Sequence, residues 1–197
     1  MLLNGIWKMS ISRGRLEPCK NTLSGVKNVY LWKWEQYNIT QIKGIKGVSL
    51  TGYPNTTVFK YPTISDANTY DENLGEDNAY DQSLSVTLKK IDLESNIELS
   101  NYQNLILGVI VEDYNGLFRL MGAFNGVDLT DLNVAVGSGS SDFNGYKLTL
   151  EGKERFKAPL FTDLNAVGFS VTGETNFLLS ELFEFLTDEL NNKLIHI

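Results

Sequence analysis

The sequence predicts a mainly β single domain of 197 residues, with one C-terminal helix and a long central loop. Three observations predict it. Hydrophobic residues make up 42% of the chain and aromatics 11%, enough for a core that hides roughly 70% of the unfolded surface at this length. There are 17 Gly against 4 Pro, with many Val, Ile, Thr and Tyr, a composition of strands joined by tight turns. Segments of period-two alternation recur until, beyond Thr175, the apolar spacing changes to that of a helix.

Residues 1–17 read as an N-terminal arm. Its opening, MLLNGIWKMS, is too short and too interrupted by Asn4, Gly5 and Lys8 for a signal peptide. From Val26 to Trp34, VKNVYLWKW places Val29, Leu31 and Lys33 on one face and Tyr30, Trp32 and Trp34 on the other, the pattern of a strand. A short apolar stretch at Val48–Leu50 follows, then Thr56–Tyr61 between Pro54 and Pro62. Residues 62–82 show no period, and about twenty residues without an element are expected only of a loop that has a task.

Regularity resumes at Ser83–Leu88, with Leu84, Val86 and Leu88 on one face. Leu93, Ile97, Leu99 and Tyr102 are spaced for a short helix with Asp92 as its N-cap. LILGVIVED and LFRLMG flank Tyr114-Asn115-Gly116, the strongest short hairpin signal in the chain. Asn125-Gly126 and Asn144-Gly145 repeat that dipeptide, predicting an antiparallel meander from Leu105 to about Phe156. Its last strand buries Tyr146, Leu148 and Leu150, then meets Gly152 and a knot of mixed charge: Lys153, Glu154, Arg155 and Lys157. Behind the caps offered by Thr175 and Asn176, Leu178, Leu179, Leu182, Phe183, Leu186 and Leu190 form one stripe of a helix over 175–192.

Composition restricts the chemistry. A net charge of −7 makes the chain a poor phosphate binder, since such binding depends on excess Lys and Arg. One cysteine, Cys19, excludes an internal disulfide and a Cys-rich zinc site. The one histidine, His196, stands next to the terminus, which disfavours a Ser-His-Asp or Cys-His centre. VGSGSSD (Val136–Asp142) lacks the lysine of a phosphate loop and reads as a turn. No apolar run approaches the ~20 residues of a membrane span, so a soluble protein made in a cytoplasm is expected.

The sharpest compositional feature is DANTYDENLGEDNAYD, Asp66 to Asp81, with no Lys or Arg between Lys60 and Lys89. Its carboxylates are oxygen ligands of the kind Ca²⁺ prefers. Counted from Asp71, however, Glu76 falls where an EF-hand needs its glycine. A solvated acidic loop and a carboxylate-dependent hydrolase are the other readings. Tyr30, Trp32 and Trp34, sharing one strand face, suit either a core or a sugar-stacking platform.

Four stretches, in order, resemble the small tail and connector proteins of crAss-like and related bacteriophages. They are PCKNTLSGVKNVYLWKW (Pro18–Trp34), YDQSLSVTLKKI (Tyr80–Ile91), VIVEDYNGLFRLMG (Val109–Gly122) and NGYKLTLEGKERFKAPLF (Asn144–Phe161). The resemblance implies a virion component of the tail-tube type, an antiparallel β-sandwich or barrel with a flanking helix. Such a protein packs beside copies of itself in a ring, and the joined sheets line a channel for the genome. Six copies are implied for a tail tube, or twelve nearer the portal. The implied partners are the chain itself, adjacent tail, portal or ring proteins, and DNA passing without specific binding. No membrane, catalytic residue, cofactor or metal is implied.

Under this reading the protein is made in the host cytoplasm and resides in the virion tail or connector. Lys153, Glu154, Arg155 and Lys157 become candidate contacts between subunits, where paired charges fix orientation. Asp71, Glu72, Glu76 and Asp77 become a channel-facing or inter-ring acidic loop that repels phosphate. The alternative is a carbohydrate-binding β-sandwich module of a virion adhesion apparatus, using Tyr30, Trp32 and Trp34.

Overall fold

A computed structural model describes residues 23–37, 40–63, 68–139 and 141–172. The N-terminal arm (1–17), the C-terminal helix (175–192), Asp66, Cys19 and His196 lie outside them. Twelve strands and two short helices run through the described residues. The first six strands are β1 (Val26–Lys33), β2 (Lys43–Ile45), β3 (Ser49–Gly52), β4 (Thr56–Pro62), β5 (Thr69–Leu74) and β6 (Tyr80–Lys89). Then come α1 (Leu93–Tyr102), β7 (Leu107–Asp113), β8 (Phe118–Met121), β9 (Asp128–Ala135) and β10 (Gly145–Glu154). The described chain closes with β11 (Leu160–Phe161), α2 (Leu164–Val167) and β12 (Phe169–Thr172).

The strands form two sheets, a mainly β architecture consistent with a β-sandwich. Eight lie in the order β12-β4-β1-β7-β8-β11-β3-β2, and four in the order β5-β6-β10-β9. Between the sheets lies one core, where Val29, Leu31, Val109 and Val111 meet Leu84, Val86, Tyr146, Leu148 and Leu150. A second core gathers Tyr30, Trp32, Val58, Ile110, Leu120, Phe161 and Phe169, together with Leu50 and Tyr53. Strands far apart in the sheet order share that cluster, so the large sheet curls around it. Tyr53 N donates to Val167 O at 2.7 Å and Thr56 N to Gly168 O at 3.0 Å, drawing the curl together.

This second core explains β1 and β7. Both are central strands covered on two faces, which is why neither alternates cleanly with polar residues. Tyr30 and Trp32 are therefore interior, 4% and 3% exposed, and neither presents its ring to a sugar at the surface. The indole of Trp32 lies against Gly108, where any Cβ would collide with the ring.

Residues 62–82 do not form a long loop. β5 pairs with β6 from Thr69↔Ser85 to Leu74↔Tyr80, with a short turn between the two strands. The strand was hidden because its inward positions are Tyr70, packed on the core, and Glu72, a carboxylate. Two aliphatics there would have shown the period. The Asn115-Gly116 turn joins antiparallel β7 and β8 as expected. Asn125-Gly126 instead carries the chain from one sheet to the other, with Gly126 N donating to Gly122 O at 3.0 Å. The expected meander is thus split between the sheets. VGSGSSD lies in the connection between β9 and β10, with the Asp142 carboxylate accepting from Ser138 N and Gly139 N at 2.8 and 2.7 Å. Asp92 caps α1 by accepting from Ser95 N at 2.8 Å.

Candidate functional site: the outer face and edges of the four-stranded sheet

Alternation on β10 determines the composition of the outer face. With Tyr146, Leu148 and Leu150 inward, Lys147, Thr149, Glu151 and Lys153 point to solvent. Register then builds rows across the sheet. Glu151 stands opposite Ser83 on one side and Asp128 on the other, and Ser83 stands opposite Asp71. The next row joins Lys153, Asp81 and Asn73, and the row before joins Thr149, Ser85, Thr69 and Asp131. The face thus holds short polar groups, carboxylates and one lysine, Lys153, with no aliphatic or aromatic side chain in these three rows. Glu151 and Asp128 are directly opposed, a like-charge pairing that sheets avoid because the side chains sit about 5 Å apart. In the adjoining row Lys153 Nζ reaches Asp77 at 2.7 Å and Asp81 at 3.7 Å, which lowers the Asp77 pKa and raises that of Lys153.

Both edges of this sheet are open among the described residues. β5 pairs only with β6, and β9 only with β10. The 8 residues of β9 are nowhere fully buried, and Val134 is 48% exposed on it. An edge of that length presents a row of backbone donors and acceptors to any strand that approaches.

The expected inter-subunit contacts separate on inspection. Lys153, Arg155 and Lys157 are exposed, and they gather with Lys46 at one end of β10. Arg155 and Lys46 flank the Phe156 ring at 5.8 and 5.5 Å, while Lys157 sits 5.8 Å from the centre of the Tyr80 ring. Glu154 is different, and it is not a contact with a neighbour. It is 2% exposed, and its Oε1 accepts from Phe124 N at 2.8 Å and Asn125 N at 2.7 Å, pinning the crossover turn. Burial raises its pKa, and those two donors act against the rise.

Of the acidic set, Asp71 lies on the outer face, while Glu76 and Asp77 occupy the β5–β6 turn. Glu72 points the other way: its Oε1 accepts from Gln82 Nε2 at 2.9 Å and Ala158 N at 2.6 Å. It fastens β5 to the fold, so it belongs to neither a channel face nor a free loop.

Sequence reasoning missed Asp128, Asp131 and Ser83 as members of the face. On β9 a bulge places Thr130 as an extra residue, so Leu129 and Leu132 are three apart and the alternation is broken. It also missed Glu112, 6% exposed, which accepts from Lys27 Nζ at 2.8 Å, Asn28 Nδ2 at 2.7 Å and Tyr30 Oη at 2.7 Å. Burial raises the Glu112 pKa, but the three donations outweigh it and hold the carboxyl below its ordinary range.

No group of carboxylates, histidines or cysteines among the described residues is arranged to hold a metal ion. No helix among them is long and apolar enough to cross a membrane. No family model matches the chain, and a search of curated proteins finds no match.

Proposed function

We propose that the chain is a structural subunit of a bacteriophage tail or of the connector near the portal. It joins copies of itself head to tail in a ring whose channel, the path of the genome, is lined by the four-stranded sheet. One observation carries the reading: a sheet face of short polar groups, carboxylates and a single lysine lies between two edges that are open among the described residues. Carboxylates facing a channel repel phosphate, so DNA slides instead of adhering. Two open edges on one sheet let β9 of one copy continue into β5 of the next, a heterologous contact that closes when its rotation divides a full turn. Six copies are favoured and twelve are the alternative nearer the portal.

The test is microscopy of intact particles with this chain tagged, together with imaging of the purified protein. Axial density around the genome path is expected. A location confined to an outer fibre, or absence from mature particles, overturns the reading.

A further inference from the structure

We infer that the two ends of the sandwich are complementary docking surfaces: α1 of one copy seats on the β2–β3 tip of a second copy. The inference rests on the ring reading and extends it from contacts within a ring to contacts along its axis.

The receiving surface is apolar with a basic rim. Ile45 at the end of β2, Val48 in the turn after it and Leu160 on β11 are 64%, 57% and 37% exposed. They are neighbours, since Val48 N donates to Ile45 O at 2.9 Å and Leu160 N to Val48 O at 3.1 Å. Lys46 and Arg155 stand around Phe156 beside them, and Lys157 follows it in the chain. A Cβ built on Gly47 would lie 3.2 Å from Lys157 N, so the tip loop rests directly on that basic segment.

The inserted surface is α1. Only Leu99 of this helix is fully buried. Leu93 and Ile97, one turn apart on the same face, are 75% and 54% exposed. Glu94 runs beside them, as does Glu98, whose carboxylate also accepts from Tyr61 Oη at 2.8 Å, and the ten residues LESNIELSNY contain no Lys or Arg. Lys89 closes β6, and Lys90 after it lies close enough to the capping Asp92 to help lower its pKa. Apolar stripe meets apolar patch, and carboxylates meet the lysine rim.

The placement makes the contact intermolecular. α1 adjoins the start of β10, where Tyr146 Oη donates to Asp92 O at 3.1 Å and Lys90 N to Asn144 O at 2.9 Å. The basic tip adjoins its other end, beyond Glu154. Ten extended residues separate the two by about 30 Å, so one copy cannot bridge its own ends. Two different surfaces at opposite poles give a heterologous contact that repeats along an axis.

The experiment is oxidative cross-linking of full-length chains carrying Ile97→Cys mixed with chains carrying Val48→Cys, with the linked peptides identified by mass spectrometry so that Cys19 adducts are separated. A 97–48 link between copies is expected. Adding Lys46→Glu and Lys157→Glu to the second chain should lower its yield about tenfold, and Glu94→Lys on the first should restore part of it. Unchanged melting curves show that these exposed substitutions leave the fold intact. Absence of the 97–48 link, or a yield indifferent to the charge reversals, overturns the proposal. Val134→Lys, which blocks the β9 edge, separates the readings. If it abolishes rings while the 97–48 link persists, axial docking stands and edge pairing accounts for the ring. If rings form normally and no 97–48 link appears, only the axial contact is wrong.

Discussion

Two carboxylates show how far a single residue's environment decides its role. Glu154 is buried, and burial holds its folded-state pKa above the ordinary value. Folding therefore favours the protonated form, so this group's contribution is fullest below the unfolded pKa and is lost as pH rises through the raised folded value. Relative to Glu154→Gln, the wild type is expected to lose stability over that window, as read from urea midpoints across pH. Glu154→Leu, which orphans Phe124 N and Asn125 N, should cost about 1–3 kcal/mol at any pH. Asp92 behaves oppositely. Donation from Ser95 N and Oγ lowers its pKa, so its contribution is present above the unfolded value and disappears as pH falls through the lowered one. Asp92→Ala should cost about 0.5–2 kcal/mol near neutrality, with the loss fading in acid.

At the scale of elements, the informative strands are those whose faces break the usual pattern. The opposition of Glu151 and Asp128 across β9 and β10 is a local cost in a sheet that is otherwise well registered. Asp128→Asn should raise stability by about 0.2–1 kcal/mol in low salt and by less in high salt, measured by chemical denaturation. β1 gives the contrasting case, because its aromatic residues serve the fold. Trp32→Ala should cost about 3–5 kcal/mol, since the ring fills the curled sheet beside Tyr53 and Phe169. Much smaller losses would mean that the ring is not a core element.

Among the described residues charge is divided unevenly: a carboxylate-rich face, the carboxylates of α1 behind Lys89 and Lys90 at one end, and Lys46, Arg155 and Lys157 beside the acidic β5–β6 turn at the other. Assembly by such surfaces should depend on ionic strength, because exposed charges are screened within about 8 Å at physiological salt. Association between copies, followed by sedimentation, is expected to weaken as salt rises where the poles drive it. The proposed edge pairing of β9 would be held by backbone hydrogen bonds and should respond little. Val134→Lys should reduce the edge-dependent part alone.

Much of this was legible in the order of residues. The central hairpin at Asn115-Gly116, the cap at Asp92 and the inward face of Tyr146, Leu148 and Leu150 rest on contacts local in sequence, so spacing and turn chemistry reveal them. The strand at Thr69–Leu74 did not show itself, because Glu72 fills an inward position and its partner, Ala158 N, is 86 positions away. The role of Glu154 was hidden likewise, since a charged knot in sequence does not say which carboxylate turns inward to meet a distant turn. The acidic face is assembled from four strands by register, with Asp71, Ser83, Glu151 and Asp128 aligned only once pairing is set. The sequence by itself determined the mainly β character, the turns and the excess of negative charge, because those depend on each residue and its near neighbours. Tertiary structure alone decided which aromatics were core, which acids were fasteners and which acids share a surface, because each of those depends on strands meeting across long stretches of chain.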